Sequence, residues 1–505
     1  MHPARAMPWS SHMFARLADV SFTYGTVPIL SGVSFQLGPG WTGVTGANGA
    51  GKTTLLRLIA GELEPAAGHV SIDPRSATIA LCPQTAEVPG PAIASLARAI
   101  DGASRRIRGE LSLDPGRLAR WSTMSPGEHK RWQIGAALAA APSILILDEP
   151  TGHLDSQARD LLVGALERFA GIGIVVSHDR AMLERLTVST VRVHAGTARL
   201  FRGAYSDAKR AWEAEEREFR AHRDHLKRER EKLERRLGDK RRMAAAAQAR
   251  RARDNRIRGL FDGQIAAPAR TVATRTAQDV GVLRRGIARL AGELEAFEFT
   301  REKGRSLFVD YVAAPASKVL SLHSDEVRAG DRTLIVDVHL DILRDTRVRI
   351  AGPNGSGKTT LLRAMMAASR LPRERILHLS QELARADAAA LLDSVRAMPP
   401  GARARVLTLA AALGADPERV MLSQAPSPGE ARKLALADGL GRSVWACILD
   451  EPTNHLDMPA IERLEDALAE YPGALVIVTH DETLARRVAR EEWRIESGRL
   501  VARIP

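Results

Sequence analysis

Two nine-residue words carry the most specific chemistry in this sequence. GANGAGKTT at 46–54 and GPNGSGKTT at 352–360 both fit G-x-x-x-x-G-K-[ST], and each runs into an apolar helical stretch. Glycines let such a loop curl until its N–H groups converge on phosphate oxygens, with a helix N-terminus behind them. Gly46, Asn48, Gly49, Gly51, Lys52, Thr53 and Thr54 would form the first loop, and Gly352, Asn354, Gly355, Gly357, Lys358, Thr359 and Thr360 the second. Lys52 and Lys358 would reach β- and γ-phosphates, while the Thr53 and Thr359 hydroxyls would serve Mg2+.

Downstream, one apolar run closes on Asp148-Glu149 and another on Asp450-Glu451. Such a run reads as a buried parallel strand whose carboxyl end meets a ligand. The aspartate suits a Mg2+–water shell, and the adjacent glutamate can take a proton from attacking water. His178 and His480 close further apolar runs, where an imidazole could contact a γ-phosphate and orient water. Ser125-Pro126-Gly127-Glu128 and Ser427-Pro428-Gly429-Glu430 read as capping boxes with proline at the first helical position. Periodicity leaves two readings open: a good helix start, or a helix N-terminus presented to phosphate.

These words occur twice in one order, so the chain is a tandem duplication with an insert. ILILDEPTGHLD recurs as CILDEPTNHLD and IVVSHD as VIVTHD, each displaced by 302 positions, against 306 for the glycine-rich words. The chain of 505 residues has a net charge of +13. Between Arg202 and Arg305 lie 28 Lys plus Arg against 17 Asp plus Glu, so the insert holds most of that charge. Local basicity of this kind favours a polyanionic partner. No apolar run approaches the ~18 residues of a membrane span. Cys82 and Cys447 have no metal-ligand or disulfide spacing, which points to a reducing cytoplasm.

The insert has its own periodicity. Trp212, Phe219, Leu226 and Leu233 are spaced by seven, with Leu237 four later; Leu283, Ile287, Leu290, Leu294 and Phe297 follow a 4-3-4-3 pattern. Two heptad seams separated by Gly259, Gly263 and Pro268 predict an antiparallel helical hairpin, its first arm from Ser206 to Arg251. Arg250, Arg251, Arg253, Arg256 and Arg258 fall towards its tip, where the hairpin would present them to a polyanionic partner.

Together these words resemble the ATP-binding cassette superfamily. The resemblance implies an α/β fold, with two P-loop cassette domains at 12–204 and 304–505 joined by a hairpin at 205–303. It makes the serine-glycine helix starts signature motifs, so that two ATP molecules are held head to tail between the cassettes. Site one would join Lys52, Thr53, Asp148, Glu149 and His178 to Ser427 and Gly429. Site two would join Lys358, Thr359, Asp450, Glu451 and His480 to Ser125 and Gly127. Glu149, Glu451, His178 and His480 become the catalytic candidates. Thr53, Gln84, Asp148, Thr359, Gln381 and Asp450 become the metal candidates, the glutamines by their likeness to the Q-loop residue. Tyr24 stands where the family stacks an aromatic on adenine, and alignment places Arg328 there in the second copy. Pro126 and Pro428 replace the first glycine of the usual Leu-Ser-Gly-Gly. Two unequal sites are therefore expected.

A membrane-free pair of cassettes with a basic hairpin between them resembles the ABC-F class of ribosome-associated ATPases. That implies a cytoplasmic monomer using ATP and Mg2+, its hairpin facing ribosomal RNA and tRNA, which regulates translation or protects the ribosome from an antibiotic. Two alternatives are an exporter motor with separate membrane subunits, and a DNA-repair or chromosome ATPase. The first gives an arginine-rich hairpin no role, and the second splits one cassette around its coil.

Overall fold

A computed structural model describes residues 13–83, 90–152, 154–258, 280, 282–291 and 311–503, with side chains at 156, 248, 250–258 and 503 outside that description. The chain divides into two compact units: Met1–Ala208 with Gly304–Pro505, and Lys209–Lys303.

Seventeen strands occur among the described residues. In the first cassette they are β1 (Phe14–Tyr24), β2 (Val27–Leu37), β3 (Gly40–Thr45), β4 (Ala67–Asp73), β5 (Ile79–Cys82), β6 (Ile144–Asp148), β7 (Ile172–Val176), β8 (Thr187–His194) and β9 (Thr197–Arg202). The second cassette has β10 (Lys318–Ala329), β11 (Arg332–Leu343), β12 (Arg347–Ala351), β13 (Ile376–Leu379), β14 (Ala446–Asp450), β15 (Ala474–Val478), β16 (Glu491–Glu496) and β17 (Arg499–Arg503). Each cassette is built on a six-stranded sheet, ordered β5-β6-β7-β3-β8-β9 and β13-β14-β15-β12-β16-β17. The order is identical, and all pairs are parallel except the last hairpin of each sheet. β6, β7, β14 and β15 are apolar on both faces because helices cover both sides, as parallel sheets require. This places Asp148 and Asp450 at carboxyl strand ends in each sheet.

The copies differ in their antiparallel lobes. Among the described residues the first has three strands ordered β2-β1-β4, and the second has the β10–β11 pair. The missing counterpart of β4 accounts for a drift in the repeat. β5 and β13 begin at Ile79 and Ile376, 297 positions apart, although the P-loop words stand 306 apart. Gln84 and Gln381 are also 297 apart, in step with these strands.

A helix spans Tyr205–Arg258, seven residues past the expected end at Arg251, because nothing breaks the helical pattern before Gly259. Within the cassette unit its first turn is buried at Tyr205 and Ala208, and the Tyr205 hydroxyl donates to Glu462 Oε1 at 3.0 Å. Within the second unit, Leu226 and Leu290 are buried together with Leu233 against them. A Cβ on Gly286 would meet Leu233 Cδ1 at 3.1 Å. As the first arm advances from 226 to 233 its partner recedes from 290 to 286, so the arms are antiparallel. Phe219 is the exception on the seam, at 42% exposed. Leu294, Phe297, Gly259, Gly263 and Pro268 lie outside the described residues.

Candidate nucleotide-binding sites

Each P-loop leads into a helix, Lys52–Ile59 or Lys358–Ala368, capped by a glycine at φ 102° or 101°. That left-handed turn would strain any other residue. Neither helix has a side-chain cap or an acid in its first turn, so its leading N–H groups are open to an anion. Lys52 Nζ donates to the Gly46 and Ala47 carbonyls at 2.8 and 3.0 Å; Lys358 repeats this with Gly352 and Pro353 at 2.8 and 3.0 Å. Burial lowers the pKa of both ammonium groups. Thr53 Oγ1 donates to Asp148 Oδ2 at 3.0 Å, and Thr359 Oγ1 to Asp450 Oδ2 at 2.6 Å. Both sites thus pair a hydroxyl with a carboxylate beside the lysine.

Glu149 and Glu451 follow at φ 48° and 46°, a left-handed conformation unusual for glutamate. Their N–H groups donate to the Val176 and Val478 carbonyls at 2.9 and 2.8 Å, which holds the turn against its strain. Oε2 of each accepts the backbone N–H of His178 or His480, at 3.4 and 3.3 Å. Oε1 lies 3.1 Å from His178 Nε2 in the first site and 3.5 Å from His480 Nε2 in the second, without a hydrogen bond. Burial pushes the Glu149 carboxyl up to about 8 against the pull of Lys52, and Glu451 up to about 7. Burial also drives His178 down to about 3 and His480 to about 4, so both imidazoles are neutral at physiological pH.

Ser125 and Ser427 cap helices Pro126–Ala139 and Pro428–Leu440 through complete capping boxes. Glu128 and Glu430 return bonds to the serine N–H at 2.9 Å in each copy. The cassettes meet directly: Asn48 N–H donates to Asp457 Oδ2 at 2.9 Å, and its side-chain amide to the His455 carbonyl at 3.4 Å. Only glycine fits at 429, because a Cβ there would lie 2.7 Å from the His455 carbonyl oxygen and 3.8 Å from Asn48 Nδ2. The second cassette's Ser427 helix therefore begins beside the first cassette's P-loop.

A cleft of about 1290 Å³ runs along this junction. Both lysine–threonine pairs, both acid pairs, His178, His480, Tyr24, Ser125, Ser427, Gly429, Glu430 and Gln381 line it, as do Asn48, Gly49, Gly51, Thr54, Asn354, Gly355, Gly357 and Thr360. Gly46, Gly127 and Glu128 do not; Gly352 lines a neighbouring cavity of about 220 Å³. Gln84 lies outside the described residues, as do the side chains of Arg250, Arg251, Arg253, Arg256 and Arg258. The two candidate adenine platforms differ. Tyr24 lines the cleft with an edge-on Phe22 behind it, at 4.9 Å between rings. Arg328 is bound to Glu326 Oε1 and the Asp331 carbonyl, each at 2.9 Å.

Sequence reasoning missed the cations that hold these motifs in place. Arg432 is buried, and donates to the carbonyls of Gln381, Asp450, Glu451 and Pro452 at 3.0, 2.9, 2.6 and 3.3 Å. Lys130 occupies the same place in the first copy, donating to the Pro83 and Asp148 carbonyls at 2.7 and 3.1 Å. Their one shared signal in the sequence is position, a cation three residues after both Gly127 and Gly429 among other charged residues. Lys433 is buried against Asp457 at 3.2 Å, and so steadies the acid that reaches Asn48.

The ABC transporter family profile matches residues 30–152 and 335–454, one segment in each cassette. The ATP-binding protein Uup of Caulobacter vibrioides is 30% identical over 94% of this chain and 76% of its own length. The tylosin resistance ATP-binding protein TlrC of Streptomyces fradiae is 30% identical over 95% and 97%. The ribosome protection protein VmlR of Bacillus subtilis is 27% identical over 90% and 82%. Among solved structures, RNase-L inhibitor superposes with a TM-score of 0.60 over 96% of this chain and 90% of that one, at 18% identity, a likeness of fold. With its duplicated cassettes, its inserted helical arm and these relatives, the chain belongs to the ABC-F class of the ATP-binding cassette superfamily, and it is an ATPase.

Proposed function

We propose that this ATPase acts on the ribosome, with two ATP molecules closing the cassettes and the basic hairpin meeting RNA phosphates. The observation that carries this reading is the concentration of charge. An excess of eleven cationic side chains sits between Arg202 and Arg305, while the cassettes are close to neutral. Relatives named for ribosome protection and tylosin resistance support the same reading. Among the described residues no helix is long and apolar enough to cross a membrane, which leaves an exporter motor dependent on a separate subunit. The chain would work as a cytoplasmic monomer, since two cassettes in one chain would suffice to complete both sites.

In each site the P-loop N–H groups and Lys52 or Lys358 would bind the β- and γ-phosphates. Ser427 with Gly429, or Ser125 with Gly127, would close the site from the opposite cassette. The hydroxyl–carboxylate pairs Thr53–Asp148 and Thr359–Asp450 are hard oxygen donors suited to Mg2+, with Gln84 and Gln381 as further candidates. Bound there, the ion neutralises phosphate charge. Glu149 and Glu451 would accept the proton of attacking water, and neutral His178 and His480 would orient it.

The raised carboxyl pKa values give this assignment a pH signature. A carboxyl held neutral below about 7 to 8 is a base only above that range, so turnover should climb as pH rises through it rather than level off above pH 5. Rates of kcat/KM from pH 5.5 to 9 check this; a profile flat above pH 5.5 counts against it.

The function itself is tested by co-sedimentation of the Glu149→Gln/Glu451→Gln protein with ribosomes. ATP-dependent association is expected, and its absence sinks the proposal. The association should weaken with salt by a log–log slope of ~0.7–0.9 per neutralised phosphate. Alanine at Arg250, Arg251, Arg253, Arg256 and Arg258 should flatten that slope. Drug susceptibility of cells expressing the protein would then divide antibiotic protection from control of translation.

A further inference from the structure

The two histidine loops meet at the cassette junction, and the charges around them are not symmetric. Arg159 lies on helix Ser156–Leu166 of the first cassette, one turn after its cap Asp155. Its Nη1 donates to the backbone carbonyl of His480 in the second cassette at 3.2 Å. The same guanidinium stands 3.6 Å from Asp179 Oδ2, the residue after His178. Beside it, Arg180 Nη2 is paired with Glu465 Oε2 of the second cassette at 2.7 Å. Asp179 and Asp481 are close enough to feel one another, so the seam would repel without these cations.

Among the described residues the second cassette has no reciprocal device. With the 302-residue displacement of these words, Arg159 corresponds to Ile461 and Arg180 to Glu482. Ile461 is buried and has no donor to offer the His178 carbonyl. The consequence is local to His480. The peptide on its N-terminal side donates to Glu451 Oε2 at 3.3 Å, while the peptide on its C-terminal side accepts from Arg159. His480 is therefore clamped from both sides, once by its own cassette and once by the other. His178 has only the bond to Glu149 among those described.

We propose that Arg159 is a positioning residue acting across the junction, which sets the His480 loop for hydrolysis at site two and makes that site depend on the first cassette. Closing the cassettes brings the guanidinium to the His480 carbonyl, and Asp179 of its own cassette holds the guanidinium in place for that bond. The inference rests on Glu149 and Glu451 being the bases of two separate sites.

The test is steady-state ATP turnover by the full chain, with Arg159→Met placed in the Glu149→Gln background (site two active) and in the Glu451→Gln background (site one active). Methionine keeps much of the stem's packing and removes the donor. In the first background kcat should fall by about tenfold, the scale of one charge-assisted hydrogen bond, with KM for ATP within about twofold. In the second, kcat should change by less than about twofold, and Arg159→Lys should recover part of the site-two loss. Equal losses in both backgrounds, a change in KM alone, or no change would overturn the proposal, because seam packing would act on both sites alike. A Glu149→Gln parent without turnover would overturn it too, since site two would then not run by itself. If Arg159→Met does not fold, Arg159→Lys alone decides: a site-two loss of at least twofold with site one unchanged supports the clamp, and anything else overturns it. If neither glutamine substitution slows the enzyme, the assignment of the bases fails, whatever Arg159 does.

Discussion

Replacing Glu149 and Glu451 together by glutamine is expected to lower ATP turnover by about 10²–10⁴-fold, the usual scale of general-base catalysis, while nucleotide binding persists. Glutamine matches glutamate in size and keeps a carbonyl oxygen to accept the N–H of His178 or His480. It removes the proton-accepting carboxylate, whose Oε1 has no hydrogen-bond partner in either site. The P-loops, lysines and threonines that would hold phosphate are untouched. The single substitutions should not be equal. Site one joins Tyr24 to a P-loop already bonded to Asp457, whereas at site two Arg328 is occupied by Glu326 and Asp331. Turnover and equilibrium binding of a fluorescent ATP analogue, measured on both single variants and the double variant, check this. A double variant retaining more than a tenth of the turnover sinks the assignment, and equal losses in the singles sink the asymmetry.

Why these sites could be read before any coordinates is a matter of range. A P-loop is a local device: its glycine torsions, its lysine and its helix N-terminus lie within nine residues, so the pattern GANGAGKTT carries its own geometry. The capping boxes at Ser125 and Ser427 are equally local, and both are formed. Duplication extended the reach, because an ordered set of repeated words implies a repeated sheet, and the two sheets have the same strand order. The hairpin was legible as far as its heptads were regular: Leu226, Leu233 and Leu290 pack together as the spacing requires.

What could not be read depends on contacts between distant segments. Nothing near position 48 announces Asp457, yet the two share a hydrogen bond. The left-handed torsions of Glu149 and Glu451 were hidden as well, since sequence marks such positions only when they are glycine or asparagine. The loss of a β4 counterpart was visible only as an unexplained change in displacement from 306 to 297. Arg159 and Arg432 looked like ordinary helix-surface charges, and only the fold shows which carbonyls they face.

Arg432 is the buried cation with the largest expected effect. Its guanidinium ties the segment ending in Gln381 to the carboxyl end of β14, at Asp450, Glu451 and Pro452, and its own helix starts at Ser427. Burial lowers its pKa to about 10, which still leaves it charged at neutral pH. Arg432→Met fills similar space but strands these carbonyls, and each buried acceptor left without its donor costs about 1–3 kcal/mol. The left-handed turn at Glu451 loses one of its restraints at the same time. Turnover of site two, measured in the Glu149→Gln background, should therefore fall at least about tenfold, since a displaced base loses its alignment with water. Amide exchange at Asp450 and Glu451 should quicken while that at Asp148 and Glu149, beside Lys130, stays as it was. Arg432→Lys should recover part of both, because lysine already serves this position in the first copy with two carbonyls. Unchanged exchange at Asp450 and Glu451 in Arg432→Met would mean that the strand end holds itself, and the tie would then be packing rather than positioning.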